Sequence, residues 1–232
     1  MKKKWLKIPL IIIISLVVVL MGANVCGILK VTRAGSSASL PTIKFGQRLI
    51  ISSLSKPERF RFIAFRYTDT LMQQRGLYVH RLCGMPGDTV QIKGGVLFVN
   101  GVNADEHLNL CNEYLIPDTA SSNVTKLFSL EDLQAPILLT NGTAAVILTR
   151  DQVKQLATLN IPCTPDITPA KDSNIYLYPG FPPSWNNDHF GPVVVPGNKY
   201  FVLGDNRHRA QDSRYIGFIS KDSVAGVVLG IR

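Results

Sequence analysis

"YFVLGDNRHRAQDSRYIGFI", residues 200–219, sets Asp205, Arg207, Asp212 and Arg214 between two apolar, β-prone flanks. Charges in such a place either belong to a solvated loop or hold one another. Asp212 and Arg214 are close enough in sequence to pair, and a charge-assisted pair of this kind would fix the loop in one geometry beside a site.

The flanks are two of several short strands. "QRLIISSL", "RFRFIAFRY", "GLYVHRLC", "DTVQIKGGVLFVNG", "KYFVLGD" and "SVAGVVLGI" are rich in Ile, Val, Phe and Tyr, and most are bounded by turn residues. Gly94-Gly95 and Asn100-Gly101 are strong hairpin signals. The pattern predicts a mainly β, mostly antiparallel domain built from residues 30–102 and 196–232. Residues 103–195 contain more Pro, Asn and Thr and fewer regular strands, and read as an inserted cap. Two helices are expected there: "SLEDLQ", with Ser129 as N-cap, and "TRDQVKQLATLN", with Thr149 as N-cap and Val153, Leu156 and Leu159 at helical spacing. Asn123 and Asn141 match the short N-x-S/T pattern, which carries little by itself.

The chain has 232 residues and is 46% apolar, enough for one domain with a real core. Residues 8–22, "IPLIIIISLVVVLMG", contain no charge, and the apolar character continues to Leu29. That length approaches the ~20 residues a helix needs to cross a bilayer. It exceeds a cleaved signal's usual apolar core, and no clear small-x-small site follows it. Residues 8–29 are therefore expected to be a retained transmembrane anchor. Residues 1–7, "MKKKWLK", form a basic tip that stays in the cytoplasm, which places the main domain outside. The net charge of +9 includes the tip's four lysines, and the rest carries about +5. That excess suits an anionic membrane surface. Nucleic acid fits poorly, because no Lys/Arg cluster is interleaved with aromatics beyond the tip.

Cys26, Cys83, Cys111 and Cys163 form no C-x-x-C pair and no zinc-like spacing, so no metal or other cofactor is expected. Outside the cell a Cys111–Cys163 disulfide is possible, since both residues lie in the central segment. Cys83, among apolar residues, reads as a buried thiol.

Two further segments join the opening one. "GSSASLPTI", residues 35–43, alone could be a juxtamembrane turn. "YVHRLCGMPGDTVQI", residues 78–92, alone could be a strand, turn and strand, although His80 on an apolar strand can serve as a base near neutral pH. In this order after an anchor, the three segments resemble type I signal peptidases, the bacterial leader peptidase family. Residues 204–217 match the family's G-D-N-R-x-x-S-x-D-S-R-x-x-G at every specified position but one, and "FPPSWNNDHFGPVVVP" resembles its bacterial branch. The likeness covers the anchor, residues 35–100 and 176–232.

The resemblance implies a Ser/Lys dyad, in which a lysine kept neutral by burial takes the proton of an attacking serine. Counting back from Pro41 in the family's S-M-x-P-T puts the nucleophile position at Ala38, and Ser36 at the serine that contributes to the oxyanion hole. The lysine before R-x-x-G-x-P-G-D falls on His80, the residue used by eukaryotic and archaeal relatives. The serine that positions the base falls on Ala210. Asp212 and Arg214 stay as the family has them, and Ser39, Leu40, Pro41 and Tyr78 are expected to touch substrate.

If the segment is extended, Ser37 and Ser39 point away from the face of Ala38, while Ser36 lies about 6–7 Å along it. Three accounts of Ala38 remain: a natural non-cleaving relative, an engineered Ser-to-Ala change, or an enzyme that uses Ser36, Ser37 or Ser39 with His80. Joint change at three positions favours the first. Such a protein would engage signal peptides of exported precursors at the cytoplasmic membrane, as a receptor, a regulator, or a partner of an active signal peptidase or the export translocon.

Overall fold

Alternation of buried and exposed residues along short strands builds three antiparallel sheets. The structure, a computed structural model, describes residues 12–15, 22, 27–69, 74–130, 136–172 and 177–232. The largest sheet has the order β1-β2-β15-β3-β4-β13-β14: β1 (Leu29–Arg33), β2 (Arg48–Ser52), β15 (Val224–Ile231), β3 (Phe62–Asp69), β4 (Gln74–Gly84), β13 (Lys199–Leu203) and β14 (Ile219–Ser220). A second sheet has the order β12-β5-β6-β7: β12 (His189–Val194), β5 (Thr89–Lys93), β6 (Val96–Val99) and β7 (Val102–Asn103). The β5–β6 hairpin turns at Gly94 and Gly95, with φ of 55° and 77°. Positive φ at both positions gives the turn twist that matches the strands.

The third sheet has the order β11-β8-β10-β9: β11 (Thr164–Pro165), β8 (Cys111–Pro117), β10 (Thr143–Thr149) and β9 (Ile137–Leu138). Helices α1 (Ser121–Phe128) and α2 (Arg150–Thr158) pack on it, and Ile116, Val124, Val146, Leu148 and Leu156 form its own core. Thr149 caps α2 in a capping box with Gln152. The expected apolar spacing holds for Leu156, which is buried, whereas Leu159 lies past the helix end and is exposed. Ser129 is not an N-cap. It closes α1 in the left-handed region, and most of "SLEDLQ" lies outside the described residues. Within 103–195, β12 pairs with β5 rather than with the third sheet.

The first two sheets enclose Cys83, Val90, Ile92, Leu97, Phe190, Phe201 and Leu203. A last short helix, α3 (Ser213–Ile216), packs Ile216 against Ile63, Phe65, Leu82 and Val202. Ion pairs tie the third sheet's segment to the rest. Asp105, after β7, takes two 2.6 Å bonds from the buried Arg207 guanidinium, and Cys111 N–H donates to the Asp205 carbonyl at 2.9 Å.

The expected disulfide is absent, for Cys111 and Cys163 are free thiols. Pairing of Thr164 with Leu115 puts Cys163 near the far end of β8 from Cys111. The offset is roughly 16 Å along the strand, far beyond disulfide reach. Burial pushes the Cys111 thiol up to about 12 and the Cys163 thiol up to about 11. The expected buried state of Cys83 is observed, with its thiol pushed up to about 12 by burial.

No helix among the described residues is long and apolar enough to cross a membrane. Residues 12–15 are helical, Leu29 already belongs to β1, and residues 1–7, most of 8–29 and Cys26 lie outside the described residues.

Two tests follow from these contacts. Non-reducing alkylation and peptide mass mapping should recover Cys111 and Cys163 as separately alkylated peptides; a linked pair would contradict the β8–β11 register. Asp105→Asn leaves Arg207 buried without its carboxylate and should lower stability by about 3–5 kcal/mol in denaturant unfolding.

Candidate active site

Residues 36–43 form successive turns rather than an extended segment. Leu40 N–H donates to the Ser37 carbonyl at 3.1 Å, and Ile43 N–H to the Ser39 carbonyl at 2.8 Å. The turns cancel strict alternation of faces, so Ser36, Ala38 and Ser39 line one cavity of about 480 Å³ together with Tyr78 and His80. The walls come from residues 32–36 on one side and 76–80 of β4 on the other, with Arg209 and Gln211 from the loop after β13. Leu40, Pro41, Ala210, Asp212 and Arg214 do not line it.

The loop after β13 positions the cavity floor. Asn206 N–H donates to the Ala38 carbonyl at 3.1 Å, and the Asn206 side-chain amide donates to the Ser37 carbonyl at 3.2 Å. Gly204 is needed at this crossing, since a Cβ there would collide with both the Ala38 carbonyl oxygen and the Ala210 methyl. Ala38 and Ala210 thus flank one glycine, and the two positions where the sequence lacks the family's hydroxyls are brought together.

Buried ion pairs hold this loop. Asp212 accepts from Gly204 N–H at 3.1 Å and from Arg214 Nε and Nη2 at 2.9 and 2.8 Å. The Arg214 guanidinium also donates to the carbonyls of Asn187 and Arg207 at 3.1 and 2.5 Å. Arg81 grips Asp205 through Nε at 2.7 Å and Nη2 at 2.5 Å, and Thr42 Oγ1 donates to the same carboxylate at 2.5 Å. The turns of residues 36–43, β4 and the loop are thereby locked together.

His80 is buried at 2% exposure, with Nε2 3.1 Å from the Gln211 carbonyl oxygen. A carbonyl only accepts, so the neutral ring is assigned its proton on Nε2, leaving Nδ1 as an acceptor. That Nδ1 is buried and has no hydrogen-bond partner among the described residues. Burial is the largest influence on the ring and holds its pKa below 6.5, against the opposing pull of the Asp212 charge, the Gln211 carbonyl and Asp205. His80 is therefore a neutral imidazole at pH 7, the form a general base requires.

Among the described residues no hydroxyl of the loop lies within hydrogen-bond reach of that nitrogen. Ser39 Oγ donates to the Val79 carbonyl at 2.8 Å. Ser36 Oγ accepts from Ala38 N–H at 3.4 Å, which places side by side the hydroxyl and amide that an oxyanion hole would use. Among the described residues no cluster of three or more His, Cys, Asp or Glu could hold a metal ion. Sequence reasoning missed Arg33 and Gln211 as lining residues. Gln211 occupies an unspecified position of the matched motif, and its part is played by its backbone carbonyl, which residue type does not reveal.

The family description "Signal peptidase, peptidase S26" matches residues 2–231. The chain is 25% identical to the probable signal peptidase I-2 of Synechocystis, over 82% of its own length and 57% of that protein. It is 30% identical to signal peptidase I S of Bacillus subtilis, over 64% of its length and 48% of the relative. It thus spans about half the length of these two relatives. A crystal structure of a signal peptidase I from Enterococcus faecalis is 26% identical, covers 76% of this chain and 99% of that one, and superposes with a TM-score of 0.35. With a match that runs across nearly all of its length, the chain belongs to the signal peptidase, peptidase S26 family.

Proposed function

We propose that this chain is a non-cleaving member of its family. It binds the small-x-small segment of signal peptides of exported precursors and holds it without hydrolysis, alone or beside an active signal peptidase or the translocon. The apolar segment from residue 8 up to the start of β1 anchors it in the cytoplasmic membrane with residues 1–7 inside, and the β core of 30–102 and 196–232, joined by β12 from the inserted segment 103–195, stands on the outer face. Ser36, Ser39 and Tyr78 contact the peptide inside the cavity, and Leu40 and Pro41 contact it where it leaves the cavity.

One observation carries this reading: the position of the attacking atom in the cavity wall is the methyl group of Ala38, which cannot form a bond to a carbonyl carbon. The absence of a hydroxyl at Ala210, beside the same glycine, supports it. The walls that would receive an extended peptide as an added strand persist on both sides of the cavity. Asp212 and Arg214 act as positioning residues, setting the loop rather than touching substrate.

Purified full-length protein in detergent should bind a signal-peptide substrate and leave it intact over hours. Cleavage that vanishes on Ser36→Ala, Ser37→Ala or Ser39→Ala would instead establish an enzyme with a shifted nucleophile.

Restoring both hydroxyls, Ala38→Ser with Ala210→Ser, should give measurable cleavage with His80 as base. Because burial holds the His80 pKa below 6.5, the rate should be flat at neutral pH and fall only on acidification beneath 6.5 as the ring gains a proton. A further His80→Lys change should move that limb to higher pH, since even a desolvated ammonium starts from about 10.4.

A further inference from the structure

Three arginines stand side by side on the outer face of the largest sheet. The register sets Arg33 of β1 opposite Arg48 of β2. Arg48 and Arg232 exchange both backbone hydrogen bonds, at 2.6 and 2.9 Å, so Arg232 continues the row past the end of β15. Cross-strand partners share a face. Leu49 and Ile51 turn into the core, so Arg48 and its partners face outward, and all three are exposed.

Like charges directly opposite one another destabilise a sheet. The row spans roughly 10 Å across three strands. Among the described residues no carboxylate forms an ion pair with any of these three guanidiniums. The arrangement is costly to the fold and positioned to receive anions.

Arg33 is also a wall of the cavity, beside Ala34 and Ser36. Among the described residues no Asp or Glu lines that cavity, and its other cation, Arg209, lies 3.5 Å from Glu113. Arg33 therefore stands on the edge strand that borders the cleft, with Arg48 and Arg232 beside it on the outer face.

We infer that this row is a subsite for acidic residues of the bound peptide. A chain lying extended in the cleft and leaving past Arg33 presents alternate side chains to one face about 6.8 Å apart. Two carboxylates in the first few residues beyond the small-x-small segment meet neighbouring arginines, whose planar forks suit carboxylate oxygens. The inference rests on the reading that the cleft holds peptide, and adds the charge class that the cleft selects. An anionic bilayer could also meet an outward arginine row, but the peptide is favoured because Arg33 belongs to the cleft wall itself.

The test measures fluorescence anisotropy of full-length protein with labelled peptides carrying an Ala-x-Ala core and either Glu-x-Glu or Gln-x-Gln, placed before or after it. In one of the two placements the Glu peptide should bind about fivefold more tightly at ~20 mM salt, and the advantage should shrink at ~300 mM. In a variant combining Arg33→Gln, Arg48→Gln and Arg232→Gln the Glu and Gln peptides should bind with equal affinity, and a far-ultraviolet circular dichroism spectrum and thermal transition like those of wild type show that the variant is folded. Equal binding of Glu and Gln peptides by wild type overturns the subsite while leaving the cleft reading intact; no binding of any peptide overturns both. Preference that survives in the variant overturns the assignment to this row. If that variant instead loses only its sedimentation with phosphatidylglycerol vesicles, the row serves the bilayer and the proposal fails.

Discussion

The buried guanidinium of Arg214 is the contact on which the site depends. At 1% exposure it has given up its hydration, a penalty of several kcal/mol that only a full set of partners offsets. It has them: the Asp212 carboxylate and the carbonyls of Asn187 and Arg207, drawn from separate stretches of chain. Asp212 in turn receives Gly204 N–H, which fixes the residue pressed against Ala38. Arg81 with Asp205 and Arg207 with Asp105 repeat the device at the start of the same loop. Each pair is weak evidence of net stability against an apolar equivalent, but removal of one partner strands a charge. The loop therefore has one arrangement, and the cavity inherits it.

The same physics explains how a family's frame persists around a site lacking its reactive atoms. Loss of a partner in the ionic network costs several kcal/mol and endangers the fold. Replacement of a hydroxyl by a methyl at Ala38 or Ala210 removes no charge and leaves the packing about Gly204 intact. His80 Nδ1 has no partner among the described residues, and a buried acceptor left so costs about 1–3 kcal/mol, less than a stranded charge. Scaffold and chemistry are thus held by interactions of different size, and the smaller ones can go first.

The short antiparallel strands were legible because strand alternation is local, and the three segments that meet at Ala38, His80 and the loop after β13 stood out because each carries a short motif that resembles the family's. The third sheet was not, since β8 and β10 find each other only through a register set at long range, and Thr, Ala and Pro in that segment dilute the alternation. The disulfide expectation failed for the same reason: proximity in sequence says nothing about which end of β8 faces Cys163. Ser129 carried a cap residue's chemistry but sits at the other terminus of a helix. The arginine row was invisible because Arg33, Arg48 and Arg232 are separated along the chain and meet only across strands.

On the proposed reading, what distinguishes this site from a working one narrows to hydroxyls. A lysine base must be buried to lose its proton, and the pocket that would do this is present, since burial is the largest influence on His80. An imidazole in that pocket needs no such help, because its ordinary pKa already lies below neutrality and desolvation carries it further the same way. The base position therefore remains chemically competent, with an acceptor nitrogen buried beside the loop and a carbonyl fixing its tautomer. On the proposed reading the limiting deficiency is the atom that would have given up a proton to it. A neutral base facing the methyl group of Ala38 has no hydroxyl to activate there, and on that reading the cavity would hold a peptide without a path to an acyl intermediate.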